Sequence, residues 1–259
     1  VPFATQLAAG KHHSAALCPD KGEVYAWGWD GWEGSTCTKS PTRLMHVPAG
    51  SGRQIAAGAF HLAVLTRTEG VVSSGGGVVQ AGVLRDAAIV QVAAGTRHTA
   101  ALGADACVYT WTHGAIASGA FSPAAATTPH TPMRCQWLGG ALKLSCGGDY
   151  TFVVLPTSSG SRVVRWQHVG ATDGATPLMS PLDQRDAGEV DAPGAEYVIA
   201  GGGYAITMLQ DGGAMCLSIG MGGSTGGGAG GFGGLPLGLA PALATPGERL
   251  VLPSGAYSR

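Results

Sequence analysis

Short apolar runs alternate with glycine-rich turns along the whole chain, and none keeps the three-to-four-residue apolar spacing of an amphipathic helix. The runs recur in register. Leu7-Ala-Ala-Gly-Lys-His-His-Ser-Ala-Ala-Leu17 returns as Ile55-Ala-Ala-Gly-Ala-Phe-His-Leu-Ala-Val-Leu65 and as Val92-Ala-Ala-Gly-Thr-Arg-His-Thr-Ala-Ala-Leu102. Weaker copies run Leu144–Val154 and Val198–Met208, and an incomplete one begins at Leu252-Pro-Ser-Gly. The glycine common to all stands at positions 10, 58, 95, 147, 201 and 255, at intervals of 48, 37, 52, 54 and 54 residues.

Each unit carries further signals. Some fourteen residues after the marker glycine comes an aromatic run, Val24-Tyr-Ala-Trp27, Val108-Tyr-Thr-Trp111 or Val163-Val-Arg-Trp166. Turn formers such as Pro19-Asp-Lys-Gly22, Ser158-Ser-Gly160 and Asp211-Gly-Gly213 separate the two runs, which is the signature of a hairpin. A proline then opens another short apolar run, as at Pro41, Pro132, Pro177 and Pro241. The unit is therefore three or four short strands, and all-β units of this length predict a propeller of small radial sheets. The expected fold is an all-β propeller of roughly fifty-residue blades, with five repeats and the start of a sixth. The repeats are expected at about 1–48, 49–85, 86–138, 139–192 and 193–246, with the next opening at 247–259, all in one domain. The 37-residue interval predicts a shortened connection, or lost residues, near Gly75–Leu84. Gly10, Gly58, Gly95, Gly147 and Gly201 are expected where strands approach closely or φ is positive.

Composition narrows the partners rather than the fold. Charged residues are 12% of the chain and hydrophobic ones 45%, which rules out a simply disordered chain. The 44 glycines show no three-residue period, so collagen is excluded too. No apolar run approaches the ~20 residues of a membrane-spanning helix. A net charge of −1 gives no reason to expect nucleic acid or an anionic membrane as direct ligand. The chain has no asparagine and therefore no N-glycosylation sequon. Cys18, Cys37, Cys107, Cys135, Cys146 and Cys216 show no C-x-x-C spacing, and buried free thiols are expected over a disulfide framework. The start at Val-Pro-Phe and the incomplete last copy lead us to expect a piece of a longer chain.

The repeat resembles that of the regulator of chromosome condensation family, the propellers related to the nucleotide exchange factor of the small GTPase Ran. The matching residues are Leu7 to Leu17, Lys21-Gly22, Val24-Tyr25-Ala26-Trp27-Gly28, Asp30 and Pro41. The resemblance covers essentially the whole chain. Departures are Gly75 in place of the Trp27 equivalent, and Tyr150 and Tyr204 in place of the repeated histidine. The resemblance implies part of a seven-bladed ring; a kelch-like propeller is the alternative fold.

His13, His61 and His98 recur once per unit, and a histidine that tolerates tyrosine is expected to hydrogen-bond backbone rather than hold metal, which needs converging ligands. Gly222-Gly-Ser-Thr-Gly226 matches a serine-hydrolase elbow, but the glycines that follow cannot hold the helix such an elbow requires. Gly10-Lys11 lacks the first glycine and the hydroxyl of a phosphate loop. No catalytic residue, metal or cofactor is expected. Trp29, Trp32, Phe121 and Trp137 are the candidate partner-binding residues, because aromatics outside a strand core are enriched at interfaces. The expected function is a non-enzymatic protein-interaction scaffold, a domain or subunit of a larger assembly. It is expected inside the cell, in cytoplasm, nucleus or a cytoskeletal or ciliary assembly. The resemblance implies two alternatives, nucleotide exchange on a Ran-like GTPase, with Asp183–Asp191 the most acidic stretch, and chromatin binding.

Overall fold

The computed structural model describes residues 3–29, 37–59, 61–75, 78–112, 132–135, 138–167, 187–190, 192–202 and 204–218. These residues form five antiparallel sheets, each a meander whose strands pair in chain order. Sheet I holds β1 (Gln6–Ala9), β2 (His13–Cys18), β3 (Glu23–Trp29) and β4 (Cys37–His46). Sheet II holds β5 (Gly52–Ala57), β6 (His61–Thr66), β7 (Val71–Gly75) and β8 (Val78–Val83). Sheet III holds β9 (Ile89–Ala94), β10 (His98–Gly103), β11 (Val108–Thr112) and β12 (Met133–Arg134). Sheet IV holds β13 (Lys143–Gly147), β14 (Tyr150–Thr157), β15 (Gly160–Gln167) and β16 (Ala187–Val190). Sheet V holds β17 (Ala195–Ala200), β18 (Tyr204–Leu209) and β19 (Ala214–Ser218). The one helical turn among the described residues is the 3₁₀ segment Pro19–Lys21.

Why these runs become strands is visible in their burial. All six residues of β6 are buried, as are all six of β10. Successive side chains on a strand point to opposite faces, so a strand buried throughout is covered on both sides. Alternate residues enter different clusters. Leu62 and Val64 pack with Leu17, Val24 and Met45 of sheet I, whereas Ala63 and Leu65 pack with Val92, Ala101 and Trp111 of sheet III. Ala100 and Leu102 meet Leu144, Val153 and Trp166 of sheet IV, and Phe152 and Val154 meet Val198 and Ala205 of sheet V. Among the described residues the core is four apolar seams, each between consecutive sheets. A leucine or valine buried in such a seam contributes about 1.5–3 kcal/mol.

Two local expectations are refined. Pro41 does not open a strand but lies inside β4, the outer edge strand of sheet I. Register shifts interrupt its pairing with β3, and an edge position tolerates the missing N–H. The short second interval is located at the β7–β8 connection, where residues 76–77 join the strands. The equivalent connection in sheet III runs 113–132.

The two ends of the sheets are built differently. At one end lie the marker turns, and the last residues of each third strand pair beside them: His13 with Gly28, His61 with Gly75, His98 with Thr112, Tyr150 with Gln167. Connections of very unequal length, 30–36, 76–77, 113–132 and 168–186, leave from this end. At the opposite end the hairpin tips and the links between sheets are tied by backbone bonds. Val47 N donates to Gly22 O at 2.8 Å, Arg67 N to Ser51 O at 2.9 Å, and Ala104 N to Ala88 O at 2.7 Å. Ala141 N to Ala106 O and Gly194 N to Ser161 O, both 3.1 Å, continue the series.

Candidate functional site

The repeated positions converge on the sheet junctions. None of Gly10, Gly58, Gly95, Gly147 or Gly201 has a left-handed φ; close approach, not backbone conformation, demands glycine there. A Cβ on Gly58 would stand 2.5 Å from the Gly95 carbonyl oxygen, and one on Gly95 would stand 2.8 Å from that of Gly148. Gly10 and Gly147 face the carbonyls of Gly58 and Gly201 in the same way. The side chain three places on closes the space from the other side, since the rings of His13, His61 and His98 lie against their own marker glycine. Backbone bonds follow the same path: Lys11 N donates to Gly58 O at 3.2 Å and Thr96 N to Gly148 O at 2.6 Å.

Two of the histidines reach across a junction. His61 Nε2 is hydrogen-bonded to Thr99 Oγ1 at 3.0 Å, and His98 Nε2 to Thr151 Oγ1 at 3.0 Å. That partner is a side-chain hydroxyl of the next sheet. Each pair is buried, so each hydroxyl satisfies a polar atom that water does not reach. Next to His13 in this scheme the threonine position is Leu62, and next to Tyr150 it is Ala205. Two histidines in separate junctions cannot share an ion, and no group of three His, Cys, Asp or Glu suited to a metal occurs among the described residues.

A second polar device escaped the sequence reading. The residue just before each of the first three repeats is glutamine. Gln6 Oε1 accepts from the Ile55 amide at 3.2 Å while its Nε2 donates to Arg53 O at 2.5 Å. Gln54 Oε1 accepts from Val92 N at 2.8 Å. Gln91 brackets Leu144, accepting from its N–H at 3.1 Å and donating to its C=O at 2.8 Å. Lys143 and Tyr197 take this place in sheets IV and V, and Ser145 Oγ accepts from Ala200 N at 3.0 Å instead. The signal was a glutamine at the same register in three copies. A polar residue flanking an apolar run reads as solvent-facing until the neighbouring sheet is in place.

Two concavities are described. One of about 580 Å³ runs along the first strands of sheets II to V and includes Gln54, Gln91, Lys143, Glu196, Tyr197 and Ile199. The other, about 550 Å³, lies between Leu84–Ala88 and the β10–β11 turn, with Arg85, Asp86, Asp105 and Tyr109 around it. In that turn the Cys107 amide donates to Asp105 Oδ1 at 3.1 Å, and this bond holds the Asp105 carboxyl below its ordinary range. Arg134 Nη2 donates to Cys107 Sγ at 2.6 Å. Leu84 and Ala106, beside the groove, both have left-handed φ, 56° and 60°. Cys18, Cys107, Cys135 and Cys146 are buried free thiols, and Cys216 is half-buried. Burial pushes Cys135 up to about 11 and Cys146 to about 12.

Of the candidate partner-binding residues, Trp29 ends β3, and its side chain lies outside the described residues. Trp32, Phe121 and Trp137 lie outside them as well, as do Gly222–Gly226, Asp183 and Asp191. The strand ends flanking Trp32 (Trp29 and Cys37) and Phe121 (Thr112 and Met133) belong to the marker-turn end. Trp27 is half-buried, whereas Trp111 and Trp166 fill the seams of sheets II–III and III–IV.

No protein-family model matches the chain. Over 215 residues, 80% of its length, it is 26% identical to the human probable E3 ubiquitin-protein ligase HERC6. Yeast RCC1 (Prp20), solved bound to Kap60, superposes on 82% of the chain with a TM-score of 0.57 at 19% identity. The chain is an RCC1-like repeat β-propeller. Human WBSCR16 shares this RCC1-like fold over 79% of the chain, with a TM-score of 0.54 and 23% identity. The chain spans 17% of HERC6, 55% of the Prp20 chain and 57% of the WBSCR16 chain. None of the described helices is long and apolar enough to cross a membrane.

Proposed function

We propose that this RCC1-like propeller is a non-enzymatic protein-interaction scaffold acting as a domain or subunit of a larger assembly. Residues 1–259 form one propeller domain in this reading, with repeats at about 1–48, 49–85, 86–138, 139–192 and 193–246 and the next opening at 247–259. One observation carries it. The recurring polar residues, His61, His98, Gln6, Gln54 and Gln91, join sheet to sheet, so what recurs is frame. What differs between repeats is the set of connections leaving the marker-turn end, and repeat insertions confined to one face commonly form a binding face. Trp29, Trp32 and Phe121 are the anchors we assign to that face, with Trp137 in a link between sheets III and IV. The buried free thiols support an intracellular setting.

Affinity capture from the source cells with the intact chain, followed by the same capture with Trp32→Ala and Phe121→Ala, tests this reading. Loss of a common protein partner at unchanged melting temperature is expected. Equal capture by both variants would remove these residues from the site.

A specific likeness favours a second reading. The Saccharomyces cerevisiae Prp20p structure, with a TM-score of 0.57, 19% identity and 85% of this chain covered, is described with its binding to Gsp1p and histones. Nucleotide exchange on a Ran-like GTPase and histone binding are therefore the alternatives. Release of a fluorescent guanine nucleotide from a Ran-type GTPase decides the first; no acceleration at micromolar propeller ends it. Pull-down of nucleosomes decides the second.

A further inference from the structure

Three of the four sheet junctions give an acceptor to the amide three places before the marker glycine. Gln6, Gln54 and Gln91 supply it to Ile55, Val92 and Leu144, each time as a side-chain carboxamide oxygen. The fourth junction keeps the backbone geometry and loses the acceptor. Val198 pairs with Thr207 across its hairpin as Val92 pairs with Ala101. Successive amides of an antiparallel strand point alternately to the hairpin partner and away from it. The Gly201 amide donates to Tyr204 O within the hairpin, and the Ala200 amide to Ser145 Oγ of sheet IV. Two places back, the Val198 amide points toward sheet IV as well.

Lys143 holds the place opposite that amide. It lies two residues before Ser145 on the same side of β13, and Val198 lies two before Ala200. An ammonium group is a donor only and has nothing to offer an N–H. Among the described residues Lys143 makes no hydrogen bond or ion pair, and nothing accepts from the Val198 amide. Val198 is 5% exposed. Both residues line the hollow of about 580 Å³ along the first strands of sheets II to V. Two donors, one of them charged, thus face the place where the other junctions hold an oxygen.

We propose that this hollow binds a carboxylate, one oxygen accepting from the Val198 amide and the other from the Lys143 ammonium. A carboxylate has the shape of the carboxamide that fills the equivalent place in the first three junctions, and its charge strengthens both bonds. Glu196 lines the same hollow and is also unpaired among the described residues, so it disfavours a run of acids. Ala56, Ala93 and Ile199, the last 57% exposed, offer the rest of the ligand an apolar wall. The ligand is therefore a single carboxylate on an apolar body, either a glutamate side chain of an extended partner segment or a free acid. The site lies on the inner strands, apart from the marker-turn connections, and does not depend on what those connections bind.

The test follows the Val198 amide resonance of the intact, isotope-labelled chain during titration with butyrate, with N-acetyl-Ala-Glu-Ala-amide and with the glutamine version of that peptide. At least one of the two acids is expected to shift it saturably at millimolar concentration, and the glutamine peptide to bind about tenfold more weakly or less. Saturation by the glutamate peptide alone assigns the site to a partner segment, and by butyrate alone to a free acid. Lys143→Ala should weaken binding by about tenfold or more at unchanged melting temperature. Lys143→Gln places the chain's own carboxamide in the site, so it should abolish binding and slow exchange of the Val198 amide by about tenfold. No saturable shift of Val198 with either acid overturns the proposal. So does a Lys143→Gln chain that binds the acids as tightly as the parent.

Discussion

The junctions between sheets II and III and between III and IV differ from their neighbours in one respect. In both, a buried histidine meets a threonine hydroxyl of the next sheet, His61 with Thr99 and His98 with Thr151. At the I–II junction the residue in the threonine position is Leu62, and at IV–V a tyrosine, Tyr150, has Ala205 opposite. All four seams are apolar, and each is also crossed by a glutamine or serine contact to the next sheet. The added hydrogen bond does something else: it fixes how one sheet is rotated on the next, because a buried polar pair is satisfied in one register only.

Replacing the marker glycine should break this arrangement most severely. In Gly95→Ala the new methyl group meets the Gly148 carbonyl at 2.8 Å and the His98 ring, and the carbonyl is backbone that cannot step aside. A loss of about 3 kcal/mol is expected, in the range of overpacked cores. Gly201→Ala meets only the Tyr204 ring, at 3.1 Å, and should lose less than half as much; Gly139→Ala, in open space, should lose nothing measurable. Thermal or urea unfolding of the three variants ranks them, and equal losses would remove the junction carbonyl as the cause.

High pH should loosen the III–IV seam next. Cys135 and Cys146 both lie in it, and burial raises them to about 11 and about 12 from an ordinary value of 9. Between those values the unfolded chain has released protons that the folded chain retains. The thiols' contribution to stability is therefore constant below pH 9 and falls from there toward their folded values, by about 1 kcal/mol per pH unit per thiol. Cys146→Ala should flatten part of that slope. A slope that is identical in the variant would show that another group titrates.

How far the sequence reaches can be judged from these same residues. Strands, turns and the sheet-per-repeat layout were legible because Leu7–Leu17, Ile55–Leu65 and Val92–Leu102 repeat almost letter for letter. The need for glycine at Gly95 was legible as well, but not its reason, since the obstructing carbonyl belongs to a residue of the next repeat. Histidine was readable as structural, and threonine as its partner was not: the pairs are 38 and 53 residues apart, and a hydroxyl in a strand reads as filler. The glutamines stood one residue outside the copied run and so escaped comparison. Partner-binding residues are the least legible class, because what varies between repeats leaves no periodic trace.

The histidine contrast itself can be measured by double-mutant cycles. Thr151→Val keeps the shape and removes the hydroxyl from His98, for an expected loss of about 2 kcal/mol. Combined with His98→Phe, the cycle should return a coupling of about 1 kcal/mol or more, and His61 with Thr99 should behave alike. The same cycle on His13→Phe and Leu62→Val should return nearly zero. Equal coupling at both junctions would mean that packing, not the hydrogen bond, distinguishes them.

The smallest effect expected separates the glutamine clasp from the seam it spans. Gln91 makes two hydrogen bonds to the backbone of Leu144 from a partly buried position, so Gln91→Ala should lose about 1 kcal/mol. Gln91→Glu keeps the acceptor but loses the donor, and it adds a charge beside the Leu144 carbonyl, so it should be at least as damaging. Lys143 holds the equivalent place in sheet IV, where the Ser145 hydroxyl takes over the contact to Ala200, and Lys143→Ala should change stability by less than about 0.5 kcal/mol. Ser145→Ala should then reproduce at the IV–V junction what Gln91→Ala does at III–IV. If Ser145→Ala is silent while Gln91→Ala is not, the last described junction is held by its apolar seam alone. The clasp would then belong to the first three junctions, two of which also carry a histidine–threonine pair.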